Sequence, residues 1–220
     1  MIDELILQMH SSRNDEKAVV MKAYMKDHFD YFGIQSKKRK EIQKRFFSEN
    51  INTSGPEQKR KFVLDLWCQP QRECQYVALD YINTWSKKEY SREDIELIYH
   101  LITTKSWWDT VDGLASNFMG KYFNLFPEEI ESIISNWRND EDMWVRRACL
   151  LFQLKYGKNT NKALLYSLID QYLPDKQFFI QKAIGWTLRQ YSKFDPQSVR
   201  DYLKDKELGS VARREAYKYL

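Results

Sequence analysis

"FIQKAIGWTL", residues 179–188, is the stretch that decides the fold, because four other segments of the chain superpose on it. These segments are ECQYVALDYI (73–82), WWDTVDGLAS (107–116), WVRRACLLFQ (144–153) and ARREAYKYL (212–220). One column of the superposition holds Ala78, Asp112, Ala148, Ala183 and Ala216. Successive members are 34, 36, 35 and 33 residues apart. A period of this length, with one helical hairpin per unit, is typical of an α-solenoid of HEAT-like or TPR-like repeats.

The composition of the chain also favours an all-α protein. Seven glycines and five prolines are few for 220 residues, and strand patterns are almost absent. Apolar residues recur at helical spacing between the short Pro-, Gly- and Asn-containing segments that interrupt the helical pattern. In DPQSVRDYL (195–203), Asp195 is predicted to cap a helix that has Pro196 at its first position. We therefore predict a single HEAT-like repeat domain over residues 1–220.

Charge and motif content restrict the classes of function. A net charge of +4 permits nucleic-acid binding without requiring it. The start MIDELILQMH does not resemble a signal peptide, and no apolar window reaches transmembrane length. The three cysteines match no metal motif and are expected to be reduced thiols, and the histidines are scattered. We expect a cytoplasmic monomer without membrane contact, metal or cofactor.

Asp112 breaks the alanine column of the repeat. Alanine at this position lets neighbouring helices approach closely, whereas a carboxylate there costs stability unless it is paired or hydrated. A local rule that is broken at one place tends to mark a functional position. Asp112 is therefore a candidate functional residue, with a satisfied structural carboxylate as the alternative.

Three further residues fall close to Asp112 when the repeats are superposed. Trp108 lies four positions before the column, Arg147 one position before it and Trp186 three positions after it. At about 100° per residue, these offsets and Asp112 itself span an arc of about 100° on the second helix of the repeat. If the helices stack side by side, the four side chains share one surface. Core packing is the alternative for each tryptophan, and a simple ion pair with Asp112 is the alternative for Arg147.

Basic residues are concentrated in the C-terminal half and are interleaved with aromatic residues. Such a pattern fits a surface that follows a phosphodiester backbone, although solvated helix faces explain part of it equally well. The residues are Arg146, Arg147, Lys155, Lys182, Arg189, Lys193, Arg213 and Arg214.

Four blocks of the chain resemble one protein family, the AlkD-type DNA alkylation-repair glycosylases, which are built from HEAT-like repeats. The blocks are YMKDHFDYFGIQSKKRK (24–40), TTKSWWDTVDGLA (103–115), WVRRACLLFQLKY (144–156) and FFIQKAIGWTLRQYSKFDP (178–196). The resemblance extends over essentially the whole chain in register. It implies an α-solenoid that curves around duplex DNA with a concave binding face.

The resemblance also implies an activity, which is excision of cationic alkylated bases, mainly 3-methyladenine and 7-methylguanine, in base excision repair. The partner implied is duplex DNA that contains alkylated purines, at the bacterial nucleoid. By this resemblance Asp112 corresponds to the catalytic carboxylate, and Trp108 and Trp186 line the cleft against the sugar and backbone of the lesion. The DNA-binding residues implied are Arg147, Lys155 and Arg189 at phosphates, with Tyr24 and Gln35 near the DNA at the N-terminal end.

Two other functions are compatible with a helical repeat protein. A non-catalytic HEAT-like module that binds damaged or branched DNA would keep the basic surface but would not need Asp112 in an alanine column. A protein-interaction solenoid would bind a peptide, and the basic residues beside the tryptophans disfavour it.

Overall fold

The computed structural model describes residues 2–50 and 55–220, and it is helical with no strand in these ranges. The all-α prediction is therefore confirmed. The helices before residue 90 are α1 (Ile2–Ser11), α2 (Asp15–Tyr24), α3 (Ser36–Asn50), α4 (Pro56–Cys68) and α5 (Arg72–Ile82). Those after it are α6 (Asp94–Thr103), α7 (Trp108–Gly113), α8 (Gly120–Leu125), α9 (Ile130–Trp137), α10 (Met143–Leu151), α11 (Lys162–Tyr172), α12 (Phe178–Ser192), α13 (Pro196–Leu203) and α14 (Ser210–Ala216). Short 3₁₀ turns occupy Lys87–Glu89, Pro127–Glu129, Gly157–Asn159 and Tyr217–Tyr219.

The chain divides into two compact units, Met1–Glu89 and Tyr90–Leu220. The prediction of one domain over residues 1–220 stays a prediction, and each unit is described by itself below. Both units have an apolar core to which the amphipathic helices contribute their buried faces.

The first unit contains a loop, residues 32–34, that is held by one buried carboxylate. Glu73 accepts hydrogen bonds from the backbone N–H groups of Phe32, Gly33 and Ile34 at 3.1, 2.9 and 3.0 Å. Gly33 has φ of +83°, and a Cβ on it would lie 2.0 Å from the Asn14 carbonyl oxygen. Only glycine fits this close approach. The loop thereby sets the start of α3, immediately after Gln35.

The second unit consists of successive helix pairs, α6 with α7–α8, α9 with α10, α11 with α12, and α13 with α14. The alanines of the predicted column lie on the second helix of their pair, and Ala148, Ala183 and Ala216 are fully buried there. Ala78 occupies the same kind of position on α5 in the first unit and is also fully buried. The repeat predicted from the column is therefore confirmed.

The predicted start of α13 is confirmed as well. The Asp195 carboxylate accepts a hydrogen bond from the Ser198 backbone N–H at 3.0 Å, and Pro196 occupies the first helical position. This satisfies one of the backbone donors that every helix N-terminus leaves without an intrahelical partner. The structure records no disulfide among Cys68, Cys74 and Cys149, and their reduced state stays a prediction.

Candidate active site

The helix that carries Asp112 begins at Trp108. Lys105 turns the chain out of α6 with φ of +51°, in the left-handed region that side-chain-bearing residues rarely adopt. Trp107 is extended, and α7 starts with the next residue. Trp108 and Asp112 are four residues apart on α7, so both side chains lie on one face of the helix.

A π-helical segment, Leu114–Met119, follows α7 directly and continues into α8. Its side chains bond backbone carbonyls one turn earlier: Ser116 Oγ donates to the Asp112 carbonyl at 2.7 Å, and Asn117 Nδ2 donates to the Gly113 carbonyl at 3.0 Å. π-helical turns occur frequently at functional sites. Here the π-helical segment begins two residues after Asp112, the candidate catalytic residue.

Arg147 on α10 holds the Asp112 carboxylate through two parallel hydrogen bonds. The distance from Arg147 Nε to Asp112 Oδ1 is 2.8 Å, and that from Nη2 to Oδ2 is 2.9 Å. Arg147 Nη1 donates to the Phe179 carbonyl of α12. The Arg147 side chain is 2% exposed and that of Asp112 is 14% exposed. Arg147 thus fixes both the position and the orientation of a nearly buried carboxylate.

Burial dominates the electrostatics of Asp112. Removal from water raises the pKa of its carboxyl, the hydrogen bonds and charge of Arg147 lower it, and the charge of Asp109 raises it further. The net shift is upward. A carboxylate that is costly to ionise is poised to interact with a positive charge that develops beside it.

Asp112 and Arg147 line an open cleft of about 440 Å³ within the second unit. Trp108 and Trp186 also line this cleft, so the structure brings together all four residues that the repeat pattern places on one surface. Phe178 lies in the same wall and is 54% exposed. The cleft lining therefore combines four aromatic side chains with two carboxylates, of which Asp112 is one.

The basic side of the cleft is organised around Glu215 on α14. Lys182, Arg189 and Lys218 all form ion pairs with its carboxylate and also line the cleft. Arg189 is predicted at DNA and Lys182 belongs to the predicted basic residues of the C-terminal half, whereas Glu215, Lys218 and Phe178 were not predicted.

A signal for Lys182 and Glu215 was present in the repeat. Each lies one position before a column alanine, as Arg147 does before Ala148. Charged residues at the same place in three successive repeats indicate a ladder of side chains on neighbouring helices. Lys218 and Phe178 carried no comparable signal.

Trp107 differs from Trp108 in its surroundings. Its ring packs against those of Trp144 and Phe179, with centroid distances of 5.6 and 5.2 Å, and Trp144 lies 4.9 Å from Phe179. This aromatic cluster supports α7, α10 and α12 from one side. Of the two adjacent tryptophans, one is a packing residue and the other lines the cleft.

The remaining predicted DNA-binding residues lie elsewhere. Lys155 is exposed and donates to Asn117 Oδ1 in the π-helical segment; it does not belong to the cleft lining within the described chain. Tyr24 and Gln35 are exposed on the first unit, where Lys17 Nζ donates to Gln35 Oε1 at 3.5 Å. Roles of these three residues at DNA stay predictions.

The chain is similar to known proteins over almost its whole length. A family model described as DNA alkylation repair enzyme matches residues 5–220. A solved structure described as a predicted DNA alkylation repair enzyme from Enterococcus faecalis is 36% identical, with a TM-score of 0.87 over 94% of this chain and 96% of that chain. The chain belongs to the DNA alkylation repair enzyme family. No curated protein matches it.

A second solved structure, AlkD2 from Streptococcus mutans, is 20% identical and has a TM-score of 0.62, covering 82% of this chain and 89% of that chain. This likeness concerns the fold and confirms the predicted α-solenoid of HEAT-like repeats for this family member. Within residues 2–50 and 55–220, every helix is too short or too polar to span a membrane. The same residues contain no group of three or more His, Cys, Asp or Glu side chains that could hold a metal ion.

Proposed function

We propose that this member of the family is a DNA glycosylase that excises cationic alkylated purines, 3-methyladenine and 7-methylguanine, from duplex DNA. The observation that carries the proposal is the Asp112 carboxylate, which is held by Arg147 at two atoms and faces an open cleft between Trp108 and Trp186. A structural ion pair needs neither the open cleft nor the two aromatic walls.

The chemistry of the substrate fits these groups. A purine methylated at N3 or N7 already carries a positive charge, so it leaves without protonation by a general acid. Cleavage of the N-glycosidic bond leaves an oxocarbenium-like sugar, and the bonding electrons depart with the base. The Asp112 carboxylate stabilises the positive charge at C1′ and orients the water that attacks it.

The aromatic walls and the basic side of the cleft supply binding energy. The faces of Trp108 and Trp186 are electron-rich and attract a sugar that becomes cationic in the transition state. Arg189 and Lys182 offer positive charge to the phosphodiester backbone, which aligns the nucleotide in the cleft. Arg147 acts mainly by positioning Asp112, because three of its N–H groups already donate hydrogen bonds within the protein.

A direct assay tests the proposal. The protein is incubated with duplex DNA treated with a methylating agent, and the released bases are separated and quantified. Release of 7-methylguanine above the spontaneous rate supports glycosylase activity. Binding of the methylated duplex without release of any base would instead indicate a non-catalytic DNA-binding module.

The aromatic walls provide one prediction. Trp108→Ala and Trp186→Ala are each expected to slow single-turnover excision about tenfold, because a cation–aromatic contact in a partly desolvated site contributes roughly 1–2 kcal/mol. Trp137→Ala is the matched control, since this tryptophan packs against Tyr99 and does not line the cleft. Equal losses in the control and the cleft variants would mean that the tryptophans act through stability alone.

The shifted pKa of Asp112 provides another prediction. The ionised carboxylate is the active form, so excision should decrease as pH falls through its pKa, about tenfold per unit below it. Because burial raises that pKa, the decrease should begin above the ordinary aspartate value of 3.8. Single-turnover rates, corrected for spontaneous release at each pH, measure the profile. A constant rate down to the ordinary aspartate value would contradict this role for Asp112.

A further inference from the structure

Glu215 is a buried carboxylate on the wall of the cleft, and it bonds three cations. Lys182 Nζ lies 2.7 Å from its Oε1, Arg189 Nη1 lies 2.6 Å from its Oε2, and Lys218 Nζ lies 3.2 Å from Oε2. Its side chain is 5% exposed. The ion pairs lower the pKa of Glu215 to about 2, so it is ionised at any pH used for DNA binding.

The position of Glu215 is determined by close packing between α14 and α12. A Cβ on Gly185 would lie 2.6 Å from the Ala212 carbonyl oxygen and 2.6 Å from Glu215 Cβ. The absence of a side chain at Gly185 therefore lets α14 approach α12 closely. This contact carries the Glu215 carboxylate to Lys182 and Arg189, which lie on either side of Gly185 along α12.

The cluster of Glu215, Lys182, Arg189 and Lys218 has a net charge of +2, since three cations surround one anion. One cation would be enough to neutralise the buried carboxylate, so charge neutralisation alone does not explain why three cations surround it. The cationic side chains keep 36%, 23% and 47% of their surface exposed for Lys182, Arg189 and Lys218 respectively. All of them line the same cleft as Asp112. The net positive charge of the cluster is therefore available to a ligand in the cleft.

We propose that Glu215 is a positioning residue that holds Lys182, Arg189 and Lys218 as a preformed receptor for the DNA phosphate backbone beside the lesion. Long cationic side chains lose considerable rotamer entropy when they bind a phosphate. A buried anion that orders them in advance removes part of that cost at the moment of binding. This inference rests on the proposed function only in taking the cleft as the DNA site.

Glu215→Gln distinguishes a positioning role of Glu215 from a purely electrostatic role, because the two roles predict opposite changes in DNA affinity. Loss of the anion raises the net charge of the cleft by one, so charge alone predicts tighter DNA binding and a steeper salt dependence. Loss of positioning predicts DNA binding that is weaker by at least about tenfold. It also predicts a slope of log K against log[salt] that is smaller in magnitude by about one to two. The measurement is fluorescence anisotropy with a short duplex that contains a tetrahydrofuran abasic-site analogue, over a range of salt concentrations.

Two further variants keep the test decisive if Glu215→Gln is poorly folded. Glu215→Asp retains the charge but shortens the side chain by one methylene, so positioning predicts weaker binding and charge alone predicts wild-type binding. Lys182→Met should cost more affinity in the wild-type background than in Glu215→Gln, because its contribution depends on the carboxylate. Glu207→Gln, at an exposed glutamate of the preceding segment, is the matched control.

The analogue carries no base, so these measurements are independent of base excision. Weaker binding by Glu215→Gln and Glu215→Asp supports the positioning role even if the wild-type protein releases no methylated base. Unchanged or tighter binding by both variants overturns it even if the wild-type protein is an active glycosylase.

Discussion

Asp112→Asn is expected to slow single-turnover release of 7-methylguanine from methylated duplex DNA by about 10²–10³-fold, the usual cost of removing one preorganised electrostatic group from a transition state. The substitution retains the size of the side chain and removes the negative charge that we propose stabilises the cation at C1′. Affinity for an abasic-site analogue duplex should change little, since Asp112 supplies no positive charge for phosphate binding. Single-turnover kinetics and anisotropy measure the two quantities separately.

Asp109→Asn is the matched control, because Asp109 belongs to the same helical turn and does not line the cleft. Its excision rate should stay close to that of the wild-type protein. Circular dichroism and thermal unfolding establish that each variant is folded. Wild-type excision by a folded Asp112→Asn protein would falsify the assignment of the catalytic carboxylate.

Arg147→Leu is expected to lower the free energy of unfolding by about 3–5 kcal/mol, because it leaves the Asp112 carboxylate buried without its partner. For a chain of this size, the loss corresponds to a decrease in Tm of roughly 6–20 °C. The pKa of Asp112 should rise further, since Arg147 is the group that lowers it. Thermal and denaturant unfolding measure the stability, and the acid side of the excision profile reports the pKa.

A double-mutant cycle separates the ion pair from the packing of the arginine stem. The variant with both Asp112→Leu and Arg147→Leu should lose less stability than the sum of the two single losses, because no charge remains buried alone. Additive losses would indicate that the two residues contribute independently. The salt dependence of DNA binding by Arg147→Leu tests the predicted phosphate contact, and an unchanged slope would restrict Arg147 to its role at Asp112.

Much of the candidate site could be predicted because its residues lie at or close to a position that recurs in every repeat. Asp112 stood out as a carboxylate among alanines, and Trp108, Arg147 and Trp186 followed from their offsets to that column together with helical geometry. The start of α13 at Pro196 depends only on local chemistry and was equally accessible. Helix propensity, capping and repeat spacing are properties of short segments, so they can be inferred without knowing which helices meet.

The pairing of side chains from different repeats was decided by the tertiary structure. The bidentate contact of Arg147 with Asp112 requires the stacking register of α7 and α10, which a weakly identical repeat leaves open. Glu215 reaches Lys182 and Arg189 because Gly185 allows α14 to approach α12 closely, whereas Lys218 lies only three residues after Glu215 in the chain. The π-helical turn after Asp112 was not predicted from the sequence. The sequence alone therefore determined the repeat and the candidate residues, while tertiary packing determined their partners, since hydrogen bonds and desolvation depend on distances between helices that are remote in the chain.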